Sequence, residues 1–229
     1  MNYHNITTAD MMNGSGLRVV LWLSGCSHKC RGCQNPQTWD ANSGIPFDKA
    51  AREELFRELD KDYISGLTLT GGDPLFEENL DDVLELVTKV NKRYNRPRHI
   101  DGRGKENNNI LSDNANEFRL LLPRKSIWLY TGYTLSTCKY FDDMIFTFHP
   151  SYYHPSPLDS KPVKVDDKAF FIKQDRKRIE ILKSIDVLVD GQYIDSQRDV
   201  SLPWRGSANQ RVIDIQKSLQ KGEIVIWQT

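Results

Sequence analysis

Three cysteines that fall within eight consecutive positions carry the clearest chemical signal in this 229-residue sequence. Cys26, Cys30 and Cys33 have the spacing C-x3-C-x2-C and come directly after the apolar run 19–23. Three thiolates on one short loop are a typical metal-binding arrangement, because thiolate sulfur is a strong ligand for soft metals. The spacing therefore predicts a metal site on the loop that follows a buried strand.

The number of available ligands limits which metal this site holds. Structural zinc sites close their shell with four ligands, commonly two pairs from separate parts of the fold, but the fourth cysteine, Cys138, is far away in sequence. His28 lies inside the loop, where Ser27 and Lys29 leave it little freedom to turn inward once both flanking cysteines are bound. A three-cysteine iron-sulfur cluster with one open iron fits better. Closed zinc, and cysteines that are unliganded or disulfide-bonded, remain alternatives.

Five further sequence blocks accompany the cysteine loop. They are MNYHNITTADMMNGSGLR at 1–18, TLTGGDPL at 68–75, YTGYT at 130–134, DVLVDGQY at 186–193 and WRGSANQ at 204–210. Together with SGCSHKCRGCQNPQTW at 24–39, they resemble, in the same order, the activating proteins of anaerobic (class III) ribonucleotide reductases, which belong to the radical S-adenosylmethionine (SAM) superfamily. Any one block is weak, but the ordered set is specific.

The resemblance implies a cofactor set and a reaction. Cys26, Cys30 and Cys33 are expected to hold a 4Fe-4S cluster, with SAM bound at the fourth iron. The reduced cluster would pass one electron to SAM, giving methionine and a 5′-deoxyadenosyl radical that abstracts a hydrogen atom from a backbone glycine of the reductase. The implied partners are the large subunit of an anaerobic ribonucleotide reductase and a flavodoxin-type electron donor. The cofactors carry this chemistry, so no catalytic side chain is assigned.

The glycine pair after the second predicted strand has two interpretations. Gly71 and Gly72 form either a tight turn before Pro74 or a stretch of backbone that approaches SAM closely. The resemblance to the superfamily's GGEP-type motif favours the second, and it places Asp73 where many members have glutamate. We therefore expect Gly71, Gly72 and Asp73 to contact SAM.

The residues around the third cysteine are predicted to lie near adenine. Many radical SAM enzymes have an aromatic residue just before that cysteine, whereas this chain has Gly32, as does the family it resembles. Gln34 replaces the tyrosine of the family's GCYN. Adenine contacts are therefore expected from the backbone around Gly32, Cys33 and Gln34, or from another strand. The block at 204–210 is interpreted either as a helix N-terminus or as part of the site's rim.

The predicted secondary structure places these motifs where strands end. Strands are predicted at 17–23, 67–70, 127–130 and 186–190, with an edge strand at 223–227, and helices at 47–59, 77–94, 173–183 and about 208–219. Residues 1–16 are predicted as a polar segment that ends in a turn. Alternating strands and helices indicate an α/β fold with a mostly parallel sheet, and the resemblance implies a partial barrel of the radical SAM type.

Two segments interrupt this alternation. Compared with the family pattern, about 95–125 and about 139–183 are expected to be insertions into a single domain that spans 1–229. The strand-end motifs are intact on either side of them, so we expect both to lie outside the SAM site. The alternatives to reductase activation are a different radical SAM reaction, on another glycyl-radical enzyme or a small molecule, and a zinc-stabilised interaction module.

The amino-acid composition argues against two classes of partner, nucleic acid and membranes. The chain has 31 basic and 31 acidic residues, mixed along the sequence, so its formal charge of zero implies no general attraction to nucleic acid or to an anionic membrane. The longest strongly apolar run, 19–23, is far too short to span a membrane, and no signal peptide is recognised. We expect a cytoplasmic protein, in which clustered cysteines stay reduced and free to bind metal.

Overall fold

The structure, a computed structural model, describes residues 1–95, 123–140, 143–150 and 175–228. Within these ranges the strands are β1 (Asn2–Asp10), β2 (Arg18–Leu23), β3 (Ile45–Pro46), β4 (Gly66–Gly71), β5 (Ser126–Tyr130), β6 (Tyr133–Tyr140), β7 (Asp143–Pro150), β8 (Val187–Asp190) and β9 (Arg211–Asp214). The helices are α1 (Lys49–Leu59), α2 (Leu80–Tyr94), α3 (175–183) and α4 (Ile215–Lys221). None of the helices in these ranges is both long and apolar enough to cross a membrane.

The main sheet has seven strands in the order β3-β1-β2-β4-β5-β8-β9. Its centre, β2, β4, β5 and β8, is parallel. The outer strands are antiparallel to their neighbours, and β6 pairs with β7 in a separate two-stranded sheet. The predicted α/β class with a mostly parallel sheet is therefore confirmed, with antiparallel strands at both edges.

The two faces of the main sheet differ in what covers them. Alternate residues of a strand point to opposite faces, and one set packs in the main core with residues of all four helices. We call the opposite face the loop face. It carries a smaller aromatic and aliphatic cluster built on Trp128, Val187, Val189 and Val212. The site described below lies on this face and at the carboxyl ends of the parallel strands.

Local sequence signals explain the helix that follows the cysteine loop. Asp48 caps α1 by accepting a hydrogen bond from the Ala51 N–H group at 3.0 Å, and Ala51, Leu55 and Leu59 form its buried stripe. An aspartate at the helix start and apolar residues at helical spacing are the local signals for this helix, which the sequence predicts at 47–59. The predicted helix at 77–94 is also present, as a 3-10 turn at Glu77–Asn79 followed by α2.

Strand pairing overrides the local pattern at both ends of the chain. Residues predicted as a polar lead-in form β1, because they pair with β2 and fill its free edge. The helix predicted at about 208–219 is wrong in its first half: Arg211–Asp214 form β9, paired with β8, and helix α4 begins at Ile215. At 223–227 there is one isolated bridge, Ile213 with Ile226, rather than a strand.

The structure describes only parts of the two predicted insertions. Of about 95–125, residues 96–122 lie outside the described residues. Of about 139–183, the described parts form the end of β6, β7 and α3, while 141–142 and 151–174 lie outside. The division of 1–229 into one domain with two insertions therefore stays a prediction.

Candidate functional site

A cavity of about 440 Å3 lies at the carboxyl ends of the parallel strands and extends over the loop face. This volume is within the usual range of small-molecule sites, roughly 300–1,000 Å3. All three clustered cysteines line it. Loops that follow β2, β4, β5 and β8 contribute most of the remaining wall near them, including Gln34, Gly71, Gly72, Asp73, Thr131, Gly132, Gly191 and Tyr193.

Backbone hydrogen bonds anchor the cysteine loop at both ends. The Cys26 N–H group donates to the Trp39 carbonyl at 3.0 Å, and the Cys33 N–H group donates to the Cys30 carbonyl at 3.1 Å. The Asn35 N–H group donates to the sulfur of Cys33 at 3.3 Å. All three cysteines are free and partly exposed, so the disulfide alternative is not supported.

Burial suppresses the thiolate form of two of these cysteines. It raises the pKa of Cys26 to about 12, with the negative charge of Asp73 adding to the effect. Burial also raises the pKa of Cys30. Thiols of this kind are poor nucleophiles, because the thiolate is the reactive species, whereas a metal deprotonates its cysteine ligands on binding. The environment therefore suits metal ligands better than catalytic thiols.

His28 lies within the cysteine loop, and its ring is buried against the loop that follows β4. Its side chain is 1% exposed, and Nε2 is 3.0 Å from Oδ2 of Asp73. The direction is poor for a hydrogen bond, which leaves both ring nitrogens without one in the described part of the chain. The ring packs edge-on against Tyr133 and over Gly132, where an added Cβ would lie 2.4 Å from it. His28 thus faces Asp73 rather than the cysteine sulfurs.

The metal centre that fits this site is inferred from the kinds of side chain present, because these side chains are not already arranged around a metal position. Within the described ranges, no group of three or more His, Cys, Asp or Glu side chains is placed so that it could hold a metal ion. His28, the fourth ligand that a closed Cys3His zinc site would need, lies 3.0 Å from Asp73 instead. Three free thiols on one loop beside a cavity are the donors that a 4Fe-4S cluster takes from a protein, so Cys26, Cys30 and Cys33 fit that group.

The carboxylate of Asp73 is occupied by protein donors. It accepts hydrogen bonds from the Thr131 hydroxyl at 2.9 Å, the Gly132 N–H group at 3.0 Å and the Leu75 N–H group at 2.8 Å. Burial alone raises the pKa of Asp73, but the His28 contact and these backbone donors outweigh it and hold the pKa below its usual value. A carboxylate offers about four acceptor positions, and protein donors occupy most of those of Asp73, so its predicted contact with SAM stays a prediction.

The sequence predicts that the backbone at Gly71 and Gly72 approaches SAM closely. In the structure, the backbone of this pair packs closely against the start of the cysteine loop. A Cβ on Gly72 would lie 2.5 Å from the Gly25 carbonyl oxygen. The Gly72 N–H group donates to the Leu23 carbonyl at 2.7 Å, and the Asp73 N–H group donates to the Gly25 carbonyl at 2.7 Å. Gly71, with φ of 98°, lines the cavity beside them. The pair therefore fixes the start of the cysteine loop, and its contact with SAM stays a prediction.

The predicted adenine segment is divided by the structure. Cys33 and Gln34 line the cavity. Gly32 has φ of 76° and lies against Asp195, whose Oδ1 would be 2.7 Å from an added Cβ. Adenine contacts stay a prediction for Gly32, Cys33 and Gln34. The turn and Asp195 explain why position 32 is a glycine.

The block at 204–210 forms one wall of the cavity rather than a helix N-terminus. Gln210 donates from Nε2 to the Gly191 carbonyl at 2.9 Å, and its Oε1 accepts from the Gly206 N–H group at 2.9 Å. Asn209 donates to the Gln192 carbonyl at 2.8 Å. These bonds hold the block against the loop that follows β8, which explains why the two blocks occur together.

Two buried polar atoms in the cavity were missed by sequence reasoning. The hydroxyl of Tyr130 and Nε of Arg205 are buried, line the cavity and have no hydrogen-bond partner in the described part of the chain. Such groups cost about 1–3 kcal/mol each unless a ligand or water pairs with them. Tyr130 belongs to the block at 130–134 and Arg205 to the block at 204–210. The alternation of residues along β5 places Tyr130 on the loop face, and this alternation is the sequence signal that could have identified it.

Comparisons with known proteins cover most of the chain. The profile of the 4Fe-4S single cluster domain matches residues 12–118 and 167–213. The anaerobic ribonucleoside-triphosphate reductase-activating protein of Enterobacteria phage T4 is 34% identical over 212 residues, 93% of each chain. The proteins of the same name from Escherichia coli K12 and Pasteurella multocida are 31% and 32% identical, covering 93% and 92% of this chain and 97% and 95% of theirs.

Proposed function

Because the chain belongs to the family of anaerobic ribonucleoside-triphosphate reductase-activating proteins, we propose that it activates an anaerobic ribonucleotide reductase by generating a glycyl radical on it. Its cofactors are a 4Fe-4S cluster and SAM. The observation that carries the proposal is the cavity in which three free cysteines meet the loops that follow the parallel strands. When bound, the cluster supplies the electron that cleaves SAM to methionine and a 5′-deoxyadenosyl radical.

The protein residues hold and position these groups. Cys26, Cys30 and Cys33 are the cluster ligands. Gly72 and Asp73 keep the start of the cysteine loop against β4 through the backbone bonds at 2.7 Å. No residue is asked to act as an acid or base, since an electron and a hydrogen atom are transferred and the cofactors carry the chemistry.

The polar and apolar parts of the cavity suit SAM in different ways. SAM carries a carboxylate, ribose hydroxyls and ring nitrogens, which offer acceptors to the buried Tyr130 hydroxyl and the Arg205 guanidinium. Trp22 and Trp204 line the same cavity and keep water from part of it. Excluding water protects a reactive intermediate from side reactions.

We further propose that the main sheet is the partial barrel of the radical SAM fold, a view supported by helices on one face and a ligand cavity on the other. A flavodoxin-type protein is the proposed electron donor, because a one-electron donor of low potential is needed to reduce such a cluster. The proposed location is the cytoplasm, where the cysteines stay reduced.

Anaerobic purification followed by metal analysis and SAM turnover tests this function. We expect iron and sulfide bound to the protein, the broad visible absorbance of an iron-sulfur cluster, and release of methionine and 5′-deoxyadenosine after chemical reduction. A colourless protein with stoichiometric zinc would instead support an interaction module. A protein that cleaves SAM but leaves the reductase without a glycyl radical would support a different radical SAM reaction.

A further inference from the structure

The most exposed large apolar side chains in the described part of the chain lie beside the candidate active site. Val200, Met12 and Met11 are 86%, 78% and 70% exposed, more than any other large apolar residue there. Val200 and Met12 also line the cavity, so they lie where it opens to solvent. We call these three residues the apolar rim. A single exposed apolar residue needs no explanation, whereas a group at the opening of a cavity marks an interaction site.

Two separate turns that pack on one tryptophan form the rim. The turn 11–17 lies against Trp128, because a Cβ on Gly14 would be 2.9 Å from its ring. The loop 198–206 reaches the same ring through Trp204, whose centroid is 5.1 Å away in an edge-on contact. Trp128 therefore brings the two turns together on the loop face.

Hydrogen bonds fix the first turn from below. Oδ1 of Asp10 accepts from the N–H groups of Met12 and Asn13, both at 2.8 Å. The Thr68 hydroxyl on β4 donates to the Asn13 carbonyl at 2.8 Å, and the buried Arg18 donates to the Ser15 carbonyl at 3.1 Å. The methionines thus protrude from an ordered turn rather than from a loose one.

The second turn is fixed in a similar way. Oδ1 of Asp199 accepts from the N–H group and the hydroxyl of Ser201 at 2.9 and 2.6 Å. The Asp199 N–H group donates to the Gly206 carbonyl at 3.3 Å. Val200 lies at the tip between them. A preformed apolar surface lowers the entropy cost of binding, which favours recognition of a partner over chance exposure.

We infer that the apolar rim is the docking surface for the segment of the reductase that carries the radical glycine. The inference rests on the proposed function, because a backbone glycine has to enter the cavity before it can lose a hydrogen atom. The turn that carries Met12 reaches over the sheet, because the Thr68 hydroxyl on β4 donates to the Asn13 carbonyl. Met12 and the three clustered cysteines line the same cavity, so an extended segment that contacts the rim can continue along the cavity toward the cysteine loop.

The chemistry of the rim defines its partner as a short apolar stretch of extended polypeptide. Methionine side chains adapt their shape to the surface they meet, and valine adds a fixed apolar contact. A surface of three residues is small, which suits a transient complex. An activating protein needs such a complex, because it has to leave the reductase after the reaction.

Binding of the reductase encoded in the same genome tests this inference. Met12→Asp with Val200→Asp, together and singly, is compared with wild type for reductase affinity, glycyl radical yield, iron content and SAM cleavage without reductase. We expect the double variant to lose about tenfold or more in affinity and radical yield, since two charges replace apolar contacts. Iron content should stay near wild type. Met11 does not line the cavity, so Met11→Asp is the variant in which reductase-free SAM cleavage should also stay near wild type while reductase affinity falls.

Ile45→Asp is the matched control, because Ile45 is 56% exposed, does not line the cavity and lies on β3, at the edge of the main sheet. It should bind and activate like wild type. Affinity of the double variant within about twofold of wild type would overturn the inference. If wild type itself produced no glycyl radical, the proposed function would fail first, so the two failures are distinguishable. Met11→Asp, outside the cavity wall, repeats the test should the double variant misfold.

Discussion

The imidazole of His28 and the carboxylate of Asp73 are both buried, with Nε2 and Oδ2 3.0 Å apart, and they join the cysteine loop to the loop that follows β4. Asp73 in turn accepts from Thr131 and Gly132 after β5. The carbonyl of His28 accepts from Gln192 after β8 at 3.2 Å. The cysteine loop is thus tied through one residue to three other strand ends.

His28→Ala should lower stability and cluster content together. It leaves a cavity beneath Tyr133 and removes a partner of the buried Asp73 carboxylate, a loss of about 2–4 kcal/mol in the free energy of unfolding. Asp73→Asn should act in the same direction, and the double variant should cost less than the sum of the two. Chemical denaturation and iron analysis of all three variants measure this. Strict additivity would show that the two residues act independently.

Each cysteine of the loop should be indispensable for the cluster. Cys26→Ala, Cys30→Ala and Cys33→Ala should each abolish SAM cleavage, because no other cysteine is nearby in sequence to replace the missing thiolate. Cys138→Ala, on β6, is the control and should keep iron content and SAM cleavage near wild type. Iron analysis and methionine release report on both. Complete loss of iron in Cys138→Ala would contradict the three-ligand assignment.

Gly72→Val should damage the cluster site as well as SAM binding. From the sequence alone, we predict weaker SAM binding with the cysteine loop intact. In the structure a Cβ at position 72 would lie 2.5 Å from the Gly25 carbonyl, so the start of the cysteine loop has to move. Thr70→Val, a near-isosteric change two residues earlier, on β4, is the control for iron content. Full iron content in Gly72→Val would show that the loop tolerates the shift.

Tyr130→Phe should weaken SAM binding by about threefold to tenfold while leaving stability without SAM unchanged or higher. The hydroxyl has no partner in the described residues, so removing it costs nothing until a ligand pairs with it. Tyr94→Phe is the contrasting control, because its hydroxyl donates to Asp60 at 2.8 Å; it should lower stability and leave SAM affinity unchanged. SAM titration and thermal unfolding separate these effects. A less stable Tyr130→Phe without SAM would argue for a structural role.

The sequence predicts what depends on local pattern and misses what depends on pairing across the chain. The runs that become β2, β4, β5 and β8 are apolar enough to be recognised, and the cysteine loop, TGGDP, TGYT and DGQY each lie at the end of one of them. The identity of β9 depends on the free edge of β8, because Val212 and Ile213 fit a helix stripe as well as a strand. The His28 contact with Asp73 joins two loops that are separated along the chain, and no local pattern indicates it.

The most direct test of the central claim is electron paramagnetic resonance of an anaerobic mixture of this protein, its class III reductase, SAM and reductant. We predict a glycyl radical doublet on the reductase with wild-type protein and none with Cys26→Ala. Two controls are needed: the wild-type protein must hold its cluster and cleave SAM, and another activating protein must be able to convert the same reductase. If the doublet is absent under these conditions, the proposed function is contradicted.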